Sequence, residues 1–264
     1  MNFRAWAKYF VAFIFWASAF SKPASNPRAQ TELDQGIAEY KQEEYRSAAS
    51  HLRKALQIDP ESVQARLYLG QTLTAQFDPD ISTSKNLALA TAAKDAFSEL
   101  LRRDAHDAEA VKGMATLLAR TGKTEEARQY LLQAASLNPA DSDAYTRLGE
   151  MDYWSAVRKR DSTPNSVRSA SPIDLPMCKS LREETLPILD RSIEELKKAF
   201  TLNNANEAAA TFLSLAYNVR ANMECGDPKT RDADTKQGST WMEQSMKARQ
   251  KDPTQPPVFR TVKL

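Results

Sequence analysis

The sequence has 264 residues, of which 42% are hydrophobic and 27% are charged, so the chain is long enough to bury a full hydrophobic core. Only 7 residues are glycine, and few runs alternate β-branched with polar residues, which argues against a β-rich fold. The 36 lysines and arginines nearly balance the 34 aspartates and glutamates, so the chain lacks the positive charge typical of proteins that bind nucleic acid or anionic membranes.

Residues 1–19 have the pattern of a secretory signal peptide. Arg4 and Lys8 come first, an uncharged apolar run follows over Tyr9–Trp16, and small residues lead to Ala19. The whole uncharged stretch, from Tyr9 to Phe20, has 12 residues, which is short of the roughly 20 that a membrane-spanning helix needs. We therefore expect cleavage after Ala19 and export to the periplasm or beyond the cell, without membrane insertion afterwards. A retained N-terminal anchor is the alternative.

Three later segments share one pattern at their ends. Ala55–Pro60, Ala134–Pro139 and Ala199–Asn204 each have a small residue, two apolar positions and then Asp or Asn. Proline ends a helix and disfavours the helical conformation of the residue before it, so we expect helix C-termini here. Pro60 and Pro139 are 79 residues apart, which equals two units of 34 residues with 11 inserted.

A unit of 34 residues with two helices resembles the tetratricopeptide repeat. The two units that match best are residues 29–62 and 108–141, and each has seven residues in register. These are Gly36, Tyr40, Tyr45, Ala48, Leu52, Ala55 and Pro60 in the earlier unit, and Ala115, Leu118, Gly122, Ala127, Leu131, Ala134 and Pro139 in the later one. The resemblance implies an all-α fold, a solenoid of about five antiparallel helix pairs that bury their apolar faces on one another.

The resemblance covers residues 29–253, after a linker over 20–28, and divides the chain into five units. Their expected bounds are 29–62, 63–107, 108–141, 142–206 and 207–253. The longer units imply insertions near 78–88, 155–180 and 226–238. Prolines and serines over Arg158–Met177 predict an exposed loop, and residues 254–264 are expected to form an extended tail.

Motifs for catalysis or cofactor binding are missing from the sequence. It contains no HExxH, no CxxC, no glycine-rich phosphate loop and no GxSxG. His51 and His106 are expected to have structural or surface roles. Adjacent acidic residues point about 100° apart on a helix, so they do not form a general acid and base pair. We therefore expect no enzyme activity, no cofactor and no metal site.

The resemblance also implies a binding surface, because helix A of each tetratricopeptide unit lines the concave groove of the solenoid. Aromatic and arginine side chains are common interface anchors, and the cations suggest a protein or peptide partner with an acidic or carboxylate-ended segment. The asparagines of the family's carboxylate clamp are absent from these positions. As an alternative, Tyr40, Tyr68 and Phe212 pack against the next helix. The groove positions carried over are Tyr40, Lys41, Tyr68, Lys112, Arg120, Arg147, Tyr153, Trp154 and Phe212.

The sequence thus predicts an exported, non-catalytic scaffold that binds a protein or peptide through its groove. One alternative is a membrane-tethered subunit of an envelope assembly that retains the N-terminal segment. Another is a small-ligand receptor or enzyme that uses residues 158–177 as a lid.

The two cysteines are predicted to form a disulfide, as an even count in an exported protein favours. Within the resemblance, Cys178 lies just before helix B of unit four, expected over 181–202. Cys225 lies just after helix A of unit five, expected over 207–224. Antiparallel helices of similar length bring their far ends together, which would place the two cysteines side by side. Two separate thiols are the alternative.

Overall fold

The computed structural model describes residues 26–162 and 175–254, and the regular elements within these ranges are all α-helices. The signal segment and most of the predicted linker and tail lie outside the described residues. The helices are α1 (Pro27–Lys41), α2 (Tyr45–Ile58), α3 (Val63–Gln76), α4 (Ser84–Arg103), α5 (Ala108–Arg120), α6 (Thr124–Leu137), α7 (Ser142–Asp161), α8 (Leu175–Leu202), α9 (Glu207–Asn222) and α10 (Pro228–Lys251).

Each odd-numbered helix packs against the even-numbered helix that follows it, and the resulting pairs stack on one another in chain order. Odd-numbered helices also touch across pairs, as α1 does with α3 and α3 with α5. The odd helices therefore form one layer and the even helices the other. This arrangement confirms the predicted all-α solenoid of helix pairs.

Local sequence explains where the pairs begin. Pro60 and Pro139 lie in the turns before α3 and α7. The Ser62 hydroxyl then accepts a hydrogen bond from the Ala65 N–H, and the Asp141 carboxylate accepts from the first amides of α7. Side-chain caps of this kind satisfy N–H groups that have no partner inside the helix. The helix C-termini predicted at both proline segments are confirmed, because α2 ends at Ile58 and α6 at Leu137.

Phe97 of α4 occupies the centre of the first half of the solenoid. It is fully buried, and its ring lies against Gly70 of α3 and Gly113 of α5. A Cβ atom at either glycine would collide with the ring, so both positions need glycine for this close approach.

The predicted insertions near 78–88 and 226–238 each contain the first part of a helix. After a turn at residues 77–83, α4 begins at Ser84, because the Asn86 side chain bonds the backbone of Asp78 and Ile81. The expected insertion at 226–238 is mostly the first half of α10. There, Gly238 is buried against Asn218 of α9.

The predicted loop over Arg158–Met177 is too long at both ends, where the structure has helix instead. α7 continues to Asp161, and its last turn contains Arg158, Lys159 and Arg160, which suits the negative end of the helix dipole. α8 begins at Leu175, six residues before the predicted start at Leu181. Residues 163–174 of the predicted loop lie outside the described residues.

The start of α8 is fixed to the junction of α9 and α10. Cys178 and Cys225 form a disulfide with a Cα–Cα distance of 5.9 Å, the pairing expected from the sequence. One turn further along α8, Arg182 Nη2 donates to Glu224 Oε1 at 2.9 Å, and the Glu224 side chain is buried. The disulfide and the ion pair thus hold the early part of α8 in place. The repeat pattern does not predict this early part of the helix.

Among the helices of residues 26–162 and 175–254, none combines the length and the apolar character that a transmembrane helix requires.

Candidate functional site

The odd-numbered helices line one pocket, with a volume of about 150 Å³. Residues of α1, α3, α5 and α7 form its walls, and Phe97 of α4 adds an aromatic ring between α3 and α5. We call it the helix-A pocket. Its lining residues are Tyr40, Gln71, Thr74, Ala75, Phe97, Glu109, Lys112, Gly113, Thr116, Arg120, Asp143 and Arg147.

The pocket brings together four of the nine predicted groove residues, namely Tyr40, Lys112, Arg120 and Arg147, and Arg147 is held by side chains of α5 and α7. Its Nε donates to Asp143 Oδ2 at 2.9 Å, and its Nη1 donates to Thr116 Oγ1 at 3.0 Å. Burial alone would lower the pKa of Arg147, and the neighbouring Asp143 carboxylate raises it above its usual value. The guanidinium is therefore charged and held in one orientation.

Lys112 is enclosed by carboxylates on the same wall. Its Nζ lies 2.8 Å from Glu109, 2.9 Å from Asp141 and 3.5 Å from Asp143. Burial would lower the pKa of Lys112, but hydrogen bonds to Glu109 and Asp141 raise it above the usual range. The side chain is only 12% exposed, so the ammonium mainly joins α5 to the start of α7.

Arg120 and Tyr40 lie toward the other side of the helix-A pocket. Arg120 Nη2 donates to the backbone carbonyl of Phe77, just past the end of α3, while its Nε is buried without a hydrogen-bond partner. The Tyr40 ring packs edge-on against Tyr68, with ring centroids 5.6 Å apart. Burial, the largest cause, raises the pKa of the Tyr40 hydroxyl. Both residues provide hydrogen-bond donors at neutral pH.

The other aromatic candidates are not groove residues of this kind. Tyr153 and Phe212 are buried at 7% and 2% exposure, and both belong to the core between α7, α8 and α9. Trp154 packs edge-on against both rings, at centroid distances of 5.0 and 6.3 Å. The second half of the chain needs this aromatic core to fill the space between its long helices. The expectation of packing is right for Phe212, and the assignment of Tyr153 and Phe212 to an open groove is wrong.

Two further candidates lie outside the pocket lining. Lys41 is exposed at the end of α1, and Tyr68 is half-buried against Tyr40.

Several pocket residues were missed by sequence reasoning. Glu109 and Thr116 lie on α5 at spacings of three to four from Lys112 and Arg120, so helical periodicity was a sufficient signal for them. Asp143 stands one turn before Arg147, the usual spacing of a helical ion pair. Phe97 carries no such signal, because it comes from a helix B and reaches the pocket only where two glycines allow it.

The described residues contain no group of three or more histidine, cysteine, aspartate or glutamate side chains suited to a metal ion. Of the two histidines, His51 Nδ1 lies 2.7 Å from Glu32 and joins α2 to α1, and His106 is exposed in the turn before α5.

The geometry defines a class of protein: a helical-repeat solenoid whose inner helices share a pocket. Family models described as tetratricopeptide repeat match residues 33–80 and 90–149. Residues 33–80 and 90–149 are therefore tetratricopeptide repeats.

Solved structures support the same fold. TTC0263, a thermophilic tetratricopeptide-repeat protein of Thermus thermophilus, has 16% identity and a TM-score of 0.54 over 86% of this chain and 92% of that one. MamA from Desulfovibrio magneticus RS-1 has 16% identity and a TM-score of 0.51 over 88% of this chain and 100% of that one. At this identity the likeness concerns the fold alone. No curated protein matches the sequence.

Proposed function

We propose that this protein is an exported, non-catalytic scaffold that binds a segment of a protein or peptide on the layer of odd-numbered helices. The observation that carries the proposal is the helix-A pocket, where four successive repeat units contribute side chains to one small site. Residues from several rigid elements, fixed by their own hydrogen bonds, form a preorganised surface with little ordering cost on binding.

Export is supported by the disulfide between Cys178 and Cys225, because disulfides persist mainly in oxidising compartments. The predicted signal peptide would deliver the chain there. Mass spectrometry of the N-terminus of the exported protein tests this part of the proposal, and detection of intact Met1–Ala19 would favour the tethered alternative.

The sequence also suggests an acidic or carboxylate-ended partner. A preference for acidic partners requires cations that the protein's own carboxylates do not already neutralise. The contacts in the helix-A pocket therefore argue against this preference. Lys112 is shared among three carboxylates, and Arg147 is paired with Asp143. The sign of the partner's charge is therefore tested separately from binding itself.

Selection of a random-peptide library on the purified exported protein, followed by titration of the selected peptides, tests the binding function. Arg147→Glu should weaken binding by about tenfold or more, because the reversed charge disrupts the pocket wall. The matched control is Arg53→Glu, since Arg53 is exposed on α2, in the layer of even-numbered helices. Equal affinity in the Arg147 variant together with a loss in the Arg53 variant would place binding on the opposite layer.

A further inference from the structure

The dimensions of the helix-A pocket restrict what enters it. Tyr40 of α1 and Arg147 of α7 line the same space, although two repeat units lie between them along the solenoid. A volume of about 150 Å³ equals that of roughly five water molecules in the liquid. A helix about 10 Å across does not fit, whereas one side chain of an extended segment does.

Charge in and around the pocket is balanced. Lys112, Arg120 and Arg147 carry positive charge, and Glu109 and Asp143 line the same walls with negative charge. Asp141 lies directly behind Lys112, at 2.9 Å, and completes the balance. A carboxylate that entered would lose its hydration without meeting net positive charge, which is unfavourable for a buried ion.

Hydrogen-bonding groups of both kinds remain available. The bonds of Arg147 to Asp143 and Thr116 use two of the five N–H donors of its guanidinium, and the side chain is 40% exposed. On the acceptor side, Asp143 is 49% exposed and Glu109 is 57% exposed. A ligand group therefore meets donors and acceptors within one small space.

We propose, on the basis of the binding function above, that the helix-A pocket recognises a neutral carboxamide, the side chain of Gln or Asn in an extended segment of the partner. The carboxamide oxygen accepts from Arg147, and its NH₂ group donates to the carboxylates of Asp143 or Glu109. A carboxamide carries its acceptor oxygen and its two N–H donors on separate atoms, so it can satisfy both sides at once without bringing a net charge.

The probes are four pools of labelled five-residue peptides, capped at both ends, with Gln, Glu, Leu or Lys fixed at the centre and random residues elsewhere. Fluorescence polarisation measures binding of each pool to the exported protein. We expect the Gln pool to bind about fivefold more tightly than the Leu pool, the effect of one net hydrogen bond. The Glu pool should not exceed the Gln pool at any salt concentration.

A variant sharpens the test. Glu109→Gln removes one negative charge from the exposed rim, so the pocket gains net positive charge. The affinity ratio of the Glu pool to the Gln pool should rise about threefold, as expected for a partly exposed ion pair. Arg53→Glu, on the other layer, should leave the ratio unchanged.

The outcomes separate this inference from the proposed function. If the Glu pool binds most tightly and loses affinity in Arg147→Glu, the pocket binds peptides but prefers acids, and the carboxamide proposal fails alone. If all four pools bind equally and Arg147→Glu changes none of them, both proposals fail. A Leu pool that equals the Gln pool, with binding lost in Arg147→Glu, also contradicts the carboxamide.

Discussion

The helix pairs of α1 to α6 differ from those of α7 to α10 in what holds them together. In the first half, five of the six helices have 13 to 15 residues, and short turns join most of them. Their core is aliphatic and alanine-rich around one phenylalanine. In the second half, the helices have 16 to 28 residues, and a disulfide and buried ion pairs supplement an aromatic core.

Arg220 shows how the second half is joined. It donates through Nε and Nη2 to both oxygens of Asp234 on α10, at 2.9 and 2.7 Å, and through Nη1 to Asp190 on α8. One α9 side chain thus connects three helices. By contrast, some ion pairs of the first half, such as Arg102 with Glu99, lie on the surface. The comparison teaches that apolar packing contributes most in the regular repeats, while the longer helices rely more on directional bonds to fix their overlap.

The largest effect is expected from the centre of the first half. Phe97→Ala removes a fully buried ring that touches both α3 and α5, and should lower the free energy of unfolding by about 3–5 kcal/mol. Urea denaturation followed by circular dichroism measures this loss. Val63→Ala, at a 50% exposed position, is the control and should cost little. A loss below about 1 kcal/mol in Phe97→Ala would contradict the central role of this ring.

Removal of the disulfide should destabilise the second half of the solenoid, α7 to α10. Cys178→Ser with Cys225→Ser opens a bridge across 47 residues, and the chain-entropy model gives a cost of about 3–4 kcal/mol. Amide hydrogen exchange should show faster exchange in α8 and α9, with α2 and α3 unchanged. Uniform acceleration across all helices would instead mean that the halves unfold as one unit.

A smaller effect on stability, one that depends on pH, is expected from Glu195 of α8. Its carboxylate lies 3.0 Å from Arg128 of α6, while Arg128 and Arg191 also pair with the buried Asp152. Burial, and then the negative charge of Asp152, raise the pKa of Glu195 to about 7. One oxygen of Glu195, Oε2, is buried without a hydrogen-bond partner.

The sign of the pH dependence follows from this raised pKa. Between about pH 4.5 and pH 7 the native state keeps the proton while the unfolded chain loses it, so stability falls as pH rises through this window. Over this window the free energy of unfolding should fall by about 3 kcal/mol, at roughly 1.4 kcal/mol for each unit of pKa. Glu195→Gln should remove this part of the pH dependence, as urea titrations at about pH 5 and pH 8 would show. A stability difference between variant and parent that is the same at both pH values would contradict the raised pKa.

The regular half was predictable from the sequence because its determinants are local. Pro60 and Ser62 mark a turn and a cap by themselves, and the 34-residue spacing fixes which helix follows. The second half was less predictable because its determinants are distant in sequence. Nothing local at Asp234 shows that Arg220 will bind it, and so the first half of α10 was treated only as an insertion in the repeat pattern.

The candidate site shows the same division. The family resemblance placed Tyr40, Lys112, Arg120 and Arg147 at helix-A positions, and in the structure these four residues line one pocket. The resemblance did not indicate that carboxylates would neutralise the cations, which depends on how α5 and α7 overlap. Tyr153 was misassigned for a related reason: in a long helix pair an inner-face aromatic becomes core.

The smallest expected effect compares one helix cap from each half. The Asp107 carboxylate accepts from the amides of Glu109 and Ala110 at the start of α5, and Asp107→Ala should cost about 1 kcal/mol. Asn206 caps α9 in the same way through the Ala209 amide. Its Nδ2 also donates to Ser142 Oγ and Thr146 Oγ1 of α7, each at 2.8 Å.

Loss of the Asn206 side chain therefore removes a cap and two bonds between repeat units. Asn206→Ala should cost about 1 kcal/mol more than Asp107→Ala, because a buried hydroxyl loses its partner. Asn206→Asp separates the two contributions, since it keeps the cap acceptor and removes the donors, whereas Asp107→Asn should be nearly neutral. Urea midpoints of the four variants measure these differences. Equal costs for the two alanine variants would mean that directional bonds between units contribute nothing beyond local capping, and the contrast between the halves would then rest on the disulfide and the ion pairs.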